Sequence, residues 1–165
     1  MLDCAVINES WNAAVDWEIV SETALAGAIA ATPYAHFASI PVSVEIAIRL
    51  TSDAEVQQLN AAYRGKDKPT NVLSFPMFDA EELEDIANLP GEVMLGDIVL
   101  AQGVCTTEAA NKGITVQAHA THLIVHGLLH LLSYDHMGDE EALTMEAIER
   151  RVLAQLGLHD PYGDE

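Results

Sequence analysis

Three histidines within eleven residues constrain this chain more than any other feature of its sequence. They lie at the end of the apolar segment Thr121–His136. His126 and His130 are four residues apart, which on an α-helix is a rotation of ~400° and leaves the two imidazoles about 40° apart on one face. His136 follows six residues later, beyond a predicted chain reversal at Ser133–Tyr134. We therefore expect all three rings to reach a single point.

Three neutral imidazoles from one short segment suit a catalytic zinc ion whose fourth position is open to water. The alternative is a helix with incidental histidines, but an unpaired buried imidazole costs free energy and a leucine would fill the same space better. An all-imidazole site would also suit nickel, copper or iron. We predict one metal ion per chain, zinc by default, with His122 in a packing or supporting role and Asp135 either orienting a ligand or stabilising the turn.

Gly127 separates this segment from the H-E-x-x-H proteases, in which the residue after the first histidine is the glutamate general base. The histidine spacing is nevertheless that of the metzincins. A metalloprotease or amide hydrolase therefore stays open as an alternative enzyme class.

The segment His126–His136 reads H-G-L-L-H-L-L-S-Y-D-H and closely resembles the signature of the YbeY endoribonucleases, H-G-x-L-H-L-x-G-Y-D-H. The resemblance extends to two upstream blocks, Asn60–Phe75 and Leu95–Leu100. Ser133 departs from the pattern, because the family has glycine there. If that position needs a left-handed backbone, serine costs roughly 1 kcal/mol.

The resemblance implies a zinc-dependent endoribonuclease that acts on single-stranded RNA, in 16S rRNA 3′-end maturation and ribosome quality control. His126, His130 and His136 would bind the zinc and Arg64 the scissile phosphate, with Lys66 and Lys68 as weaker electrostatic help. Expected partners are ribosomal RNA and the small ribosomal subunit or its assembly factors. A non-catalytic assembly factor with a structural metal is the alternative outside the enzymes.

The net charge of −19 argues against a nucleic-acid ligand, because an acidic surface repels phosphates. The local pattern differs, since three of the seven basic residues, Arg64, Lys66 and Lys68, fall within five positions. Such a cluster is commonly a solvated turn. The cluster lies in the family block Asn60–Phe75, and this favours the alternative, a phosphate-binding loop.

The pattern of elements predicts one α+β domain over residues 1–165, a small mixed sheet packed with helices and a metal site in a cleft. Residues 42–50 alternate with a period of two, as in a half-buried strand. Ser52 and Thr115 are expected to cap helices, and the strand Glu92–Ala101 is expected to break near Gly96.

Further expectations concern the ends and the surface. Ser21 is expected to cap the first helix and Asp139 the last. Leu143, Ala147, Val152 and Leu156 are expected on the buried side of the last helix, followed by a loose acidic tail. Residues 79–85 carry five carboxylates and are expected to be exposed. The absence of a signal peptide or membrane-length apolar run and the two isolated cysteines favour the cytoplasm.

Overall fold

Four strands and six α-helices form the computed structural model, which describes residues 1–9, 11–135 and 138–163. The strands are β1 (Leu2–Asn8), β2 (Ser43–Thr51), β3 (Val72–Pro76) and β4 (Glu92–Ala101). The helices are α1 (Trp17–Ala30), α2 (Asp53–Arg64), α3 (Ala80–Leu83), α4 (Gln102–Lys112), α5 (Val116–Leu131) and α6 (Asp139–Gln155).

The strands form one mixed sheet in the order β1-β2-β4-β3, and only β3, at the edge, is antiparallel to its neighbour. This arrangement confirms the predicted α+β class. Val44, Ile46, Ile48 and Leu50 of β2 are fully buried, as the period of two predicts. The break near Gly96 is also confirmed, because the register of β2 against β4 shifts at this point.

The two faces of the sheet are covered by different helices. The histidine-bearing helix α5 packs against β3 and β4 and against α1, α4 and α6. On the other face, Val56 of α2 packs in a small separate core with Leu73, Val99 and Ala101. The carboxyl ends of α2 and α5 therefore approach the edge strand β3 from opposite faces of the sheet.

The first helix begins earlier than the sequence predicts. Asp16, not Ser21, is its N-cap and accepts a hydrogen bond from the backbone N–H of Ile19 at 3.1 Å. Ser21 lies inside α1 and is fully buried. The earlier start places Trp17 in the core, edge-on to Trp11 with 5.0 Å between the ring centroids.

The buried side of the last helix matches the prediction at Val152, and Leu156 packs against the core, but the prediction is wrong at Leu143 and Ala147. Gly138 occupies the N-cap position, so Asp139 is the first helical residue rather than the cap. Leu143 is 66% exposed and Ala147 is also exposed. The buried side consists of Met145, Glu149, Val152 and Leu153. The burial of Glu149 sets this rotation, because its carboxylate is hydrogen-bonded to α5.

Two segments expected to be loose or exposed are anchored. In the acidic stretch, Asp79 caps α3 with a reciprocal capping box to Glu82, and Leu83 and Ile86 are buried in the core although the carboxylates face solvent. The tail is docked as far as it is described, since the hydroxyl of Tyr162 donates a hydrogen bond to Glu149 at 2.6 Å.

Candidate active site

Helix α5 brings His126 and His130 together at its carboxyl end. Thr115 caps the helix as predicted, by accepting a hydrogen bond from the N–H of Ala118 at 3.0 Å. The ring centroids of the two histidines are 4.6 Å apart. Their Nε2 atoms are separated by 3.0 Å. The predicted pair therefore converges on one point, at a partly exposed position.

The hydrogen bonds behind these rings define their tautomers. Nδ1 of His126 lies 2.8 Å from a carboxylate oxygen of Glu149, and Nδ1 of His130 lies 3.0 Å from the backbone carbonyl oxygen of Tyr134. A carbonyl and an ionised carboxylate only accept hydrogen bonds, so both Nδ1 atoms carry the proton. The two Nε2 atoms face each other across 3.0 Å, a separation at which they can share a proton or bind one metal ion.

Glu149 is the functional residue that the sequence reasoning missed. It is fully buried, and Oε1 also lies 3.0 Å from Nε2 of His122. Burial alone would raise the pKa of this carboxyl, but hydrogen bonds with His122 and His126 outweigh it and lower the pKa to about 2. A signal was present in the sequence, because Glu149 shares an apolar helical stripe with Met145 and Val152, where a carboxylate needs partners.

The turn that ends α5 positions the backbone carbonyl of Tyr134, which accepts the hydrogen bond from His130. The N–H of Ser133 donates to the carbonyl of His130 at 3.0 Å, and the N–H of Tyr134 donates to that of Leu129 at 2.9 Å. These bonds form a Schellman motif, which requires a left-handed residue. Ser133 is that residue, with φ 70°, and among the described residues it is the one non-glycine with positive φ.

The third predicted ligand, His136, lies outside the described residues, so the three-histidine set stays a prediction. Within residues 1–9, 11–135 and 138–163, no group of three or more His, Cys, Asp or Glu side chains is arranged to hold a metal ion. His122 is turned toward Glu149, in agreement with the supporting role expected for it. His119 bonds instead to Glu108, at 2.8 Å.

A cleft of about 850 Å³ opens in front of the histidine pair. Its lining combines Arg64 from the end of α2, alternate residues of β3, and the segment that follows α5. Arg64 is the one cationic residue in the described lining, which also holds Asp79 and Asp135. The fold therefore brings Arg64 to one cavity with His126 and His130, which lie 62 and 66 residues further along the sequence.

Lys66 and Lys68 are exposed and do not line this cleft. Their loop is nevertheless well anchored at the backbone. Gly65 ends α2 in the left-handed conformation, and the buried side chain of Asn60 donates to the carbonyl of Lys68 at 2.9 Å. The loop thus holds its two lysines near the end of α2 but leaves their side chains in solvent.

At Gly127, α5 packs closely against Ile98 of β4. A Cβ atom at this position would lie 2.7 Å from Cγ2 of Ile98, inside van der Waals contact. The position therefore faces the sheet and has no room for a side chain. A glutamate general base of the protease kind cannot occupy it.

The protein is thus an α+β domain that carries a histidine pair and an arginine in one cleft. Residues 8–157 match the sequence model of the family described as Endoribonuclease YbeY. The chain belongs to this family.

Two curated relatives named Endoribonuclease YbeY match almost the whole chain. The protein of Sphingopyxis alaskensis is 54% identical over 156 residues, which cover 94% of this chain and 93% of the relative. The protein of Rhizorhabdus wittichii is 52% identical over 164 residues, which cover 98% and 97%.

The solution structure of TM1509 from Thermotoga maritima has a similar fold. It superimposes with a TM-score of 0.54 at 20% identity and covers 98% of this chain and 99% of its own. Separately, none of the helices in the described residues is long and apolar enough to cross a membrane.

Proposed function

We propose that this protein is a metal-dependent endoribonuclease that cleaves single-stranded RNA in the cleft between α5 and the end of α2. The observation that carries the proposal is the convergence of the Nε2 atoms of His126 and His130, 3.0 Å apart, in the cavity that also contains Arg64. The family supports the reaction class, since its curated members are named endoribonucleases.

The donor set fits a zinc ion. Imidazole nitrogen is a preferred zinc ligand, and ligating histidines typically donate the other ring N–H to a carboxylate or backbone carbonyl. Both arrangements occur here, with Glu149 and with Tyr134. His126 and His130, with His136 as the third ligand, would hold one zinc per chain. When bound, zinc would polarise a phosphoryl oxygen or lower the pKa of a bound water.

Arg64 would bind the phosphate that is cleaved. A planar guanidinium can bind two phosphate oxygens at once and stabilise charge that develops on them. Arg64 is the one arginine or lysine of the described lining, so it is the residue there that would attract a phosphate into the cavity of the histidine pair. Lys66 and Lys68 would act from outside the cleft as a weaker attraction for the flanking RNA.

An unstructured RNA strand suits this cleft better than a duplex. Single strands can be bent and their bases splayed, whereas an A-form helix presents its phosphates in a fixed, wide array. We extend the proposal to ribosomal RNA as the substrate, in 16S rRNA 3′-end maturation and ribosome quality control. Small-subunit components would be partners, in the cytoplasm. These finer assignments rest on the family resemblance.

Peptide hydrolysis is the second candidate, and one observation favours it. The cleft runs beside β3, an edge strand, to which an extended peptide could add as a further strand. Against it stands Gly127, whose tight packing on Ile98 excludes the glutamate that such enzymes use. A non-catalytic assembly factor with structural metal would not require an arginine in the same cavity as the histidine pair.

Cleavage assays on zinc-loaded protein would decide between these functions. Equal concentrations of a fluorogenic single-stranded RNA, the same sequence as a duplex, and an unstructured peptide library are compared. We expect cleavage of the single strand, much slower cleavage of the duplex, and none of the peptides. Peptide cleavage without RNA cleavage would establish the second candidate, and no cleavage of either would establish the assembly factor.

A further inference from the structure

We infer that Glu149 and Tyr162 are positioning residues, which form a chain of hydrogen bonds that orients His126 toward the metal. The chain runs from the Tyr162 hydroxyl to Oε2 of Glu149, 2.6 Å away, and from Oε1 to Nδ1 of His126 at 2.8 Å. Neither residue lines the cleft. Both therefore act through His126 and not by touching RNA.

Hydrogen bonds to both carboxylate oxygens of Glu149 fix the orientation of its side chain. Its two oxygens bind three partners, His122, His126 and Tyr162, and the side chain is fully buried. An ionised carboxylate in such a place is tolerated only because these groups donate to it. The consequence for His126 is a single ring orientation with the proton on Nδ1, so that Nε2 is always the atom presented to the cleft.

Tyr162 reaches Glu149 because the carboxyl-terminal segment folds back on α6. Arg150 donates to the carbonyl of Tyr162 at 3.2 Å, forms an ion pair with Asp160 at 3.3 Å, and lies over the tyrosine ring. The ring also contacts His122, with 5.7 Å between centroids. Burial and the bond to Glu149 both raise the pKa of Tyr162, so its hydroxyl remains a donor. The tail is thus part of the support of the metal site.

A second carboxylate–imidazole pair, formed by Glu108 of α4 and His119 of α5, makes this inference testable. Glu108 lies 2.8 Å from Nε2 of His119, the same kind of carboxylate–imidazole contact, but His119 does not reach the cleft. If Glu149 merely stabilised the fold, removing the charge of either carboxylate should have the same kind of effect. If Glu149 positions a ligand, only its replacement should change metal binding.

The experiment compares the full-length parent with Glu149→Gln, Tyr162→Phe and Glu108→Gln. Zinc affinity is measured by competition with a chromophoric chelator, and the His126 tautomer by long-range ¹H–¹⁵N NMR of the metal-free proteins. We expect zinc affinity to fall about 10- to 100-fold in Glu149→Gln, in the range found for outer-shell partners of metal ligands. A smaller loss is expected in Tyr162→Phe, and none in Glu108→Gln. The parent should show the Nδ1–H tautomer, and Glu149→Gln a mixture.

The inference rests on the proposed function in one respect, that the histidine pair binds metal, and the two can fail separately. A parent that binds no zinc overturns the proposed site, whereas the tautomer measurement still tests the role of Glu149. A parent that binds zinc, with unchanged affinity and tautomer in Glu149→Gln, overturns the inference alone. If Glu149→Gln does not fold, Tyr162→Phe decides, and unchanged zinc affinity and tautomer in that variant overturn the chain from Tyr162 to His126.

Discussion

On the α5 side of the cleft, each described histidine is held by a hydrogen bond to a fixed acceptor, whereas on the α2 side Arg64 is an exposed side chain at a helix end. The first side is a hydrogen-bonded network backed by the buried carboxylate of Glu149. The second side is a loop whose backbone is anchored but whose cationic side chains lie in solvent. Changes on the α5 side should therefore alter metal binding and stability together, whereas changes on the α2 side should alter only the binding and cleavage of RNA.

The largest expected effect is on the α5 side. Replacing His130 with Ala removes one of the two converging Nε2 atoms, so bound zinc should fall from about one per chain to a small fraction. Metal content of the purified proteins by mass spectrometry measures this. His36→Ala, at an exposed histidine, is the control and should keep the parent value. Full occupancy in His130→Ala would show that the ligand set is wrong.

The next effect belongs to the α2 side. Arg64→Ala should keep zinc and fold but lose roughly 10²-fold or more in single-turnover cleavage, because the developing phosphate charge is left without its donor. Arg64→Lys should recover only part of the loss, since lysine cannot make the two parallel hydrogen bonds. Arg151→Ala, at an exposed position on α6, is the control. Parent-rate cleavage by Arg64→Ala would reduce the loop to a solvated turn.

A smaller effect is expected from the two lysines of the same loop. Lys66→Ala and Lys68→Ala should each weaken RNA binding several-fold without changing the rate at saturating RNA. Each should also lower the slope of log affinity against log salt by about 0.7, as for one phosphate contact to a single strand. Binding measured between low and moderate salt tests this. An altered rate at saturation would place these lysines in the chemistry instead.

The smallest effect concerns the turn that ends α5. Ser133→Gly should stabilise the metal-free protein by about 1 kcal/mol, because glycine adopts the left-handed backbone without steric cost. In a domain of this size, that corresponds to a rise of roughly 2–4 °C in thermal midpoint. Ser133→Ala is the matched control, which keeps the Cβ atom and should show little change. A midpoint that is equal in both variants would contradict the proposed strain.

Much of the fold could be predicted from local patterns in the sequence. The alternation in β2, the caps at Ser52 and Thr115 and the break at Gly96 depend on near neighbours, and the structure has all of them. The left-handed Ser133 also followed from a family pattern that has glycine there. The spacing of His126 and His130 similarly depends on one helix alone.

What the sequence did not show depends on contacts between distant elements. Glu149 lies in an apolar stripe of α6, but the groups that pair with it can be identified only when α6 is packed against α5. Tyr162 belongs to a tail that was expected to be loose, but hydrogen bonds with Arg150 and Glu149 hold it against α6. Asp16 and Ser21 are both good N-caps, and the packing of Trp17 on Trp11 decides between them. Tertiary contacts of this kind override local preference.

A titration of metal-free protein with zinc, in which RNA cleavage and bound zinc are followed in the same samples, is the most direct test of metal-dependent cleavage. We expect no cleavage in the metal-free protein, a rise in proportion to bound zinc, and a plateau at one zinc per chain. Cleavage of single-stranded RNA by the metal-free protein at the rate of the loaded protein would contradict it.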